Sequence, residues 1–300
     1  MADTSESRLL AGKPVWLEPG LRRVLAPNPS PLTGPGTNSY ILGEGRVALI
    51  DPGPDSEAHL EALLAALAPG EQVEMIVVTH AHHDHSELAA RLAARVGAPV
   101  VAFGDARAGL NPAFAALGDL GGGEGADHHF RPDETVAHGE MLHGTGWSLG
   151  VIHTPGHFGN HICLSWGEAM FSGDQAMGWS TSIVSPPDGD MTAYMDSLDR
   201  LMAAAPRRLY PGHGAEVADG PARLEELVRH RRGRESQILA ALGQGGGTAS
   251  ELAARIYTDV PAGLLPAATR NVFAHLLDLE ARSQARSTES ARLGARWEAI

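Results

Sequence analysis

The chain has 300 residues, a mass of 31.5 kDa and a net charge of −13, with 43% hydrophobic and 20% charged residues. This length predicts one large domain plus a small one, and the apolar content excludes a largely disordered chain. No apolar run approaches the ~20 residues of a membrane span, and residues 1–20 resemble neither a secretory signal nor a transit peptide. We therefore expect a cytoplasmic protein that makes no membrane contact.

Cysteine content and charge distribution restrict the chemistry further. The single cysteine, Cys163, excludes an internal disulfide and a Cys-rich zinc module, so any metal chemistry falls to the 15 histidines and to carboxylates. Residues 1–220 have a net charge of −15, and residues 221–300 have a net charge of +2. An acidic main body repels polyanions, which disfavours extended nucleic-acid binding by that part.

The first 220 residues alternate short apolar runs with amphipathic helical stretches, which predicts the α/β or α+β class. The predicted strands are residues 22–26, 39–42, 47–51, 73–79, 99–103, 148–153, 161–165, 169–171 and 208–210. Ser56 and Ser86 are predicted N-caps of two helices, the second of which stops at Gly97. Residues 104–131 lack a period and predict an irregular, partly helical insertion with a mobile loop at Gly121, Gly122, Gly123 and Gly125.

The pattern changes at Pro221, and we predict a boundary between a catalytic domain, residues 1–220, and a second domain, residues 221–300. A helix over 221–242 precedes a glycine break at 244–247, and Thr248 is the predicted N-cap of a helix over 249–257. A further helix over 271–281 and a hairpin ending near Trp297 complete a small helical, winged-helix-like module.

The sharpest motif is H-x-H-x-D-H, formed by His80, His82, Asp84 and His85 directly after an apolar strand. Alternate side chains at a strand end share a face, so the first three can converge while His83 points away. His85 breaks this alternation and can join the site only if the chain turns into a helix there. Alternation does not predict that turn.

One such motif cannot complete two metal sites, because zinc usually takes about four ligands. Further ligands are expected at the ends of other strands, where a turn lets a polar side chain project. Three residues follow an apolar run and a glycine-containing turn in this way: His157, Asp174 and His213.

These motifs, in this order and with Asp51 in the segment LIDPG, resemble the metallo-β-lactamase superfamily over residues 15–215. The resemblance implies a four-layer αββα sandwich with two Zn²⁺ ions at one edge of its two sheets. It implies that His80, His82 and His157 hold one zinc, that Asp84, His85 and His213 hold the other, and that Asp174 bridges them. It also implies that Asp51 is not a ligand and orients the site through hydrogen bonds.

Finer features of the motifs narrow the resemblance. Asp174 stands where one class of true metallo-β-lactamases has cysteine, which disfavours antibiotic hydrolysis, and His82 stands where the flavodiiron branch has glutamate, which favours zinc hydrolysis over iron redox chemistry. Residues 171–190 and 194–198, with the C-terminal module, look most similar to the β-lactamase-like protein 2 branch. That branch includes endoribonucleases that cut single-stranded RNA.

Three functions follow as alternatives. In the first, the chain is a dinuclear zinc hydrolase that cleaves a small ester, thioester or lactone, and Asp84 orients the attacking water or relays its proton. In the second, it cleaves single-stranded RNA, guided by the C-terminal module or by the basic segment 229–234. In the third, it is a non-catalytic, metal-stabilised interaction module.

Some details stay open at this level. Trp179, Ser180 and Thr181 are candidates for the pocket lining or for a packing or loop-ordering role, and a homodimer is an open alternative to a monomer. The remaining histidines are interpreted as ordinary surface or core residues. Among them, His161 is the first candidate for a supporting role beside the site, because it lies four residues after His157.

Overall fold

The computed structural model describes residues 10–117, 120 and 125–300. Its larger part is built on two β-sheets. The first has the strand order β1 (Pro14–Glu18), β2 (Leu21–Leu25), β3 (Asn38–Leu42), β4 (Arg46–Ile50), β5 (Gln72–Val77), β6 (Val100–Ala102) and β7 (Glu134–Thr135). The second contains β8 (Met141–Gly144), β9 (Trp147–His153), β10 (Ile162–Trp166), β11 (Ala169–Gly173) and β12 (Arg208–Pro211), in the order β12-β11-β10-β9-β8.

The pairing of the strands changes from antiparallel to parallel within each sheet. Strands β1 to β4 pair antiparallel, and β4 to β7 pair parallel. In the second sheet β8 to β11 are antiparallel and β11 pairs parallel with β12. Parallel strands end on the same edge of a sheet, so the turns after β4, β5, β11 and β12 can lie close together.

The helices follow in chain order. They are α1 (Glu57–Ala65), α2 (His83–Ser86), α3 (Ala89–Val96), α4 (Met191–Ala204), α5 (Gly220–Gly243), α6 (Ala249–Ile256) and α7 (Leu265–Ala281). Short 3₁₀ turns occupy Pro112–Leu117 and Ala262–Leu264.

Two-residue alternation along the strands divides their side chains between two cores. On β3, Tyr40 and Leu42 lie in the core between the sheets, where they meet Phe171 of the second sheet, while Ile41 lies in the core on the opposite face. That opposite face is covered by α1 and α3, through residues such as Leu63 and Leu92. The first two layers are therefore a helical layer and a sheet.

The outer face of the second sheet is covered by α4 and the first half of α5. Leu198 and Leu224 pack there against Met170 and the buried Cys163, which forms no disulfide. Helices thus lie outside both sheets, and the predicted four-layer αββα sandwich is confirmed.

The C-terminal residues form a small helical unit around a core of their own. Phe273 of α7 and Trp297 pack with Ile238, which belongs to the second half of α5. Three short strands, β13 (Gly247–Thr248), β14 (Ala285–Ser287) and β15 (Arg296–Ala299), form a sheet in the order β13-β15-β14. The predicted hairpin is confirmed. The division at residue 220 stays a prediction, and α5 contributes to the cores on both sides of it.

Helix caps show where the local predictions were correct. Ser56 accepts a hydrogen bond from the backbone of His59, and Thr248 forms a capping box with Glu251. The predicted N-cap at Ser86 is wrong, because α2 begins at His83 and Ser86 is its last residue. The Ser86 hydroxyl donates to His82 O at 2.9 Å, within the turn that it was expected to open.

The predicted strands are confirmed to within two residues at each end, whereas β1, β7, β8 and α4 were not predicted. Helix α7 begins at Leu265, earlier than the predicted 271. Gly121, Gly122 and Gly123 of the predicted mobile loop lie outside the described residues. No helix within residues 10–117, 120 and 125–300 is long and apolar enough to cross a membrane.

Candidate metal centre

The H-x-H-x-D-H motif lies where the chain leaves β5 and enters α2. His80 and His82 are in the connecting loop, and Asp84 and His85 are in the first turn of the helix. Helical geometry, rather than strand alternation, therefore brings Asp84 and His85 to the same site. His83 points away, as predicted, with a side chain that is 41% exposed and lies 3.4 Å from a carboxylate oxygen of Glu87.

Four of the predicted ligands form a first group: His80, His82, His157 and Asp174. His82 Nδ1 lies 3.0 Å from His80 Nε2 and 3.1 Å from His157 Nε2. Asp174 Oδ2 lies 3.6 Å from His157 Nε2. One potential ligand atom from each of the four residues lies within 4.8 Å of the others.

The other three predicted ligands form a second group: Asp84, His85 and His213. Asp84 Oδ2 lies 3.3 Å from His213 Nε2 and 3.5 Å from His85 Nε2. Asp174 lies between the groups, because its oxygens are also 3.3 Å from His213 Nε2 and 3.5 Å from His85 Nε2. All seven side chains are therefore adjacent, in the two sets that the resemblance implies.

The donor set fits a pair of divalent cations. Imidazole nitrogens lie 3.0–3.4 Å from one another beside two carboxylates. A cation between these nitrogen and oxygen atoms would be coordinated by them. Asp174 Oδ1 is buried and has no hydrogen-bond partner among the described residues, although buried carboxylate oxygens are normally satisfied. Nitrogen and oxygen ligands of this kind suit zinc.

The profile of the metallo-beta-lactamase superfamily matches residues 32–213. The chain belongs to this superfamily. A beta-lactamase associated winged helix domain matches residues 248–297, which comprise α6, α7 and most of the small sheet.

Individual relatives of this superfamily member cover 80–95% of the chain. It is 33% identical over 282 residues to a beta-lactamase-like protein 2 homolog of Drosophila melanogaster, covering 90% of each chain. It is 30% identical over 260 residues to an atrochrysone carboxyl ACP thioesterase of Passalora fulva, covering 80% of this chain and 69% of that one. A crystal structure of a metallo-beta-lactamase family protein from Thermus thermophilus superposes with a TM-score of 0.76 at 26% identity, covering 95% of this chain and 100% of that one.

Burial and neighbouring charges give the histidines of the two groups different protonation states in the metal-free protein. In the first group, burial lowers the pKa of His80 and His157 and lowers that of His82 to about 3, so these rings are neutral and can ligate. In the second group, burial opposes protonation of His85, but Asp84, Asp174 and Asp51 outweigh it and raise its pKa to about 9. Metal binding at the second group must therefore displace a proton.

The ring nitrogens that face away from the centre are fixed by oxygen acceptors. His157 Nδ1 lies 2.7 Å from Ile183 O, and His213 Nδ1 lies 3.1 Å from Gly36 O. A carbonyl can only accept, so Nδ1 carries a proton in both rings. Burial lowers the pKa of His157, so its Nε2 keeps a lone pair toward the centre. Burial opposes protonation of His213, but Asp174 and Asp84 outweigh it and raise the pKa of His213 well above its usual value, so its Nε2 must lose a proton before it can bind a metal.

Asp51 directly follows β4 and supports the loop from beneath. It accepts hydrogen bonds from Thr79 N at 2.7 Å and Thr79 Oγ1 at 2.8 Å, and its Oδ2 lies 2.9 Å from His85 Nδ1. Its φ of +52° is a left-handed conformation that Asp and Asn tolerate better than most residues. These contacts are those expected of an orienting residue, which is the role that the resemblance implies.

Two supporting residues were missed or left undecided by the sequence. Thr37 Oγ1 donates to Asp84 Oδ2 at 2.9 Å, and no local pattern marks this threonine. His161 Nε2 accepts a hydrogen bond from Asp174 N at 3.1 Å, while its Nδ1 lies 2.8 Å from Thr154 Oγ1. The spacing from His157 was a correct signal for His161.

Asp51→Asn is expected to weaken metal binding at the second group by about 10- to 100-fold, because an amide cannot replace both carboxylate acceptors toward Thr79 and His85. Asn also tolerates the left-handed backbone, so the loss is not expected to come from strain. Chelator competition measures the affinity. Asp55→Asn, at an exposed position on the same loop, is the control, and equal affinities in the two variants would contradict the orienting role.

Proposed function

We propose that the chain is a dinuclear zinc hydrolase of small acyl substrates, in the class of thioesters, esters and lactones. In this proposal residues 1–220 form the catalytic domain, and His80, His82, Asp84, His85, His157, Asp174 and His213 are the metal ligands. The observation that carries it is the position of Asp174, whose two oxygens lie within 3.6 Å of histidines from both groups. A carboxylate shared in this way is the arrangement of a two-metal site.

The chemistry divides between the metals and the chain. When bound, zinc lowers the pKa of water from 15.7 to about 7 and polarises a carbonyl or phosphoryl oxygen. The chain contributes orientation and proton transfer. The Asp84 side chain is 26% exposed, whereas those of His85, Asp174 and His213 are at most 9% exposed. Asp84 is therefore the carboxylate that an entering water can reach.

One oxygen of Asp84 is available for that role. Thr37 Oγ1 donates to Oδ2 and fixes the carboxylate, and Oδ1 makes no hydrogen bond to the described residues. His85 and His213 outweigh the effect of burial and hold the pKa of Asp84 below its usual value, so the group is ionised at neutral pH. We assign Asp84 Oδ1 as the acceptor of the proton of the attacking water.

The surface beside the centre favours an acyl substrate. The ring of Trp179 lies against Gly34 and Gly214, the residue that follows His213, and the side chain remains 46% exposed. Leu32, in the same loop as Gly34, is 52% exposed. Exposed apolar side chains next to a polar centre are typical of a binding site for an apolar ligand group. The similarity to a fungal ACP thioesterase supports the same class.

Single-stranded RNA is the second candidate, favoured by the similarity to the beta-lactamase-like protein 2 homolog. The basic segment 229–234 gives it less support than its sequence suggested. Arg231 is buried, and the guanidinium of Arg234 lies over the ring of Tyr257 at 4.1 Å. Arg229 and Arg232 remain exposed, which is a small positive surface for a polyanion.

One preparation can separate these functions. Metal-reconstituted protein, with zinc and iron measured by elemental analysis, is assayed against a panel of thioesters, esters and lactones and against labelled single-stranded RNA. We expect turnover of acyl substrates, no RNA cleavage and loss of activity in Asp84→Asn, which also controls for contaminating hydrolases. RNA cleavage that disappears in Asp84→Asn, with inert acyl substrates, would establish the second candidate instead. Full metal occupancy with no turnover of either class would favour the interaction module.

A further inference from the structure

The loop of residues 175–184 contacts two of the candidate ligands, His157 of the first group and Asp174, which lies between the two groups. It begins directly after Asp174, and near its end Ile183 O accepts from Nδ1 of His157 at 2.7 Å. The hydroxyl of Ser182 donates to Asp174 O and to Gln175 O. A displacement of this loop would therefore move a first-group histidine and the carboxylate between the two groups.

Helix α5 holds this loop through arginine side chains. Arg223 donates from Nε to Met177 O and from Nη2 to Ser180 O, each at 2.7 Å. Further along the same helix, Arg231 Nη2 donates to Ser182 O. Two arginines of one helix thus anchor three carbonyl groups of the loop.

Helix α7 adds a further contact next to Ile183, the residue whose carbonyl group accepts from His157. Asn271 Oδ1 accepts from Val184 N at 3.1 Å and from Arg231 Nη1 at 3.1 Å. The peptide groups on both sides of Ile183 are therefore fixed by the Arg231–Asn271 pair. Ile183 O lies between the hydrogen-bonded groups Ser182 O and Val184 N, and it accepts a hydrogen bond from His157 Nδ1.

The environment of Arg231 is unusual for simple helix packing. The residue is 2% exposed, and within the described part of the chain its Nε has no hydrogen-bond partner and no carboxylate lies at ion-pair distance. Its guanidinium lies 4.9 Å from the ring centroid of Tyr194. Burying such a charge is unfavourable, and an apolar side chain would pack there without that penalty. Arg231 contributes directional donors that an apolar residue cannot provide.

We propose that Arg231, together with Asn271, is a positioning residue of the metal centre, which sets the orientation of His157 and Asp174 through the loop 175–184. This inference rests on the proposed metal centre. It makes the helices after residue 220 part of that centre, although they contribute no ligand to it. Partners that orient metal ligands typically affect metal affinity by about 10- to 100-fold.

The experiment compares Arg231→Met, Arg231→Lys and Arg232→Met in the full chain. Arg232 is exposed on the same helix and makes no hydrogen bond to the described residues of the loop, so it controls for loss of a positive charge. Chelator competition gives the zinc affinity, the visible spectrum of the cobalt-substituted protein reports ligand geometry, and thermal unfolding gives stability. We expect Arg231→Met to bind zinc about 10- to 100-fold more weakly with an altered cobalt spectrum, Arg231→Lys to recover part of the loss, and Arg232→Met to match the wild type.

Wild-type affinity and an unaltered cobalt spectrum in Arg231→Met would overturn the inference, whatever the loss of thermal stability. If Arg231→Met does not fold, Ser182→Ala decides, because it removes the hydroxyl that links the same loop to Asp174: weaker zinc binding supports the inference and wild-type binding overturns it. Neither measurement uses a substrate, so the acyl-hydrolase proposal can fail independently. A wild-type chain that binds no metal would overturn both.

Discussion

Asp174→Asn is expected to lower kcat/KM for the acyl substrate by about a thousandfold, equivalent to ~4 kcal/mol of transition-state stabilisation. The reason is its position between the two groups. Its oxygens lie 3.3 Å from His213 Nε2, 3.5 Å from His85 Nε2 and 3.6 Å from His157 Nε2. An amide has one oxygen and no charge, so it cannot serve both groups. We expect bound zinc to fall from two ions to one or none.

Kinetics on the most active acyl substrate and elemental analysis on the same sample measure these two effects together. Asp196→Asn is the matched control, because it makes the same chemical change at an exposed position of α4. Circular dichroism shows whether each variant is folded. A folded Asp174→Asn protein with two zinc ions and wild-type turnover would contradict the bridging role.

The substitution His275→Leu is expected to reduce the loss of folding stability at acid pH. His275 lies on α7, is 1% exposed, and neither ring nitrogen has a hydrogen-bond partner among the described residues. Burial lowers its pKa from 6.5 to about 3, and the nearby positive charges of Arg231 and Arg282 act in the same direction. The unfolded chain takes up a proton near pH 6.5, whereas the folded chain does so only near pH 3. The free energy of unfolding therefore falls as the pH falls through this window.

For this one group the loss between pH 6.5 and pH 4 is about 3 kcal/mol. Leucine has a similar volume, carries no titrating group and removes no hydrogen bond to the described residues, so the variant should lose less stability over the same range. Urea unfolding of metal-free wild type and variant at several pH values measures the difference. His143→Leu, at an exposed position of β8, is the control. An unchanged pH dependence in His275→Leu would show that His275 is not neutral in the folded chain.

The sequence was most informative where the structure depends on neighbouring residues. Strand positions followed from apolar runs between turn residues, and the caps at Ser56 and Thr248 followed from a side chain three residues before its backbone partner. The same local rule gave a wrong N-cap at Ser86, because the Ser86 hydroxyl donates instead to His82 O in the preceding turn. Strand β1 was missed because its burial is incomplete and its residues show little apolar alternation.

Six of the seven candidate ligands could be named from the sequence because they follow a strand, and parallel strands end at a common edge, whereas His85 was named from the superfamily resemblance. Their division into two groups came from the superfamily resemblance, and the structure places the seven side chains in the same two sets. The route of Asp84 to the site, through the first turn of α2, differed from the expected strand alternation. In this case Asp84 lies next to the other candidate ligands through a different local geometry from the one expected.

By itself, the sequence determined the α/β or α+β class, the order of the ligand motifs and the residue types at the centre, since these depend on local periodicity and on which groups can bind a cation. The four-layer sandwich was expected from the superfamily resemblance. Only the tertiary structure decided which distant residues hold those ligands in place. Thr37 is 47 residues from Asp84, and Asn271 is 87 residues from Val184. Such contacts form when separate elements pack into one core, and no spacing within a single segment encodes them. For the same reason, only the structure could distinguish Arg231, which is buried and donates to Ser182 O, from Arg232, which lies next to it in the sequence and faces solvent.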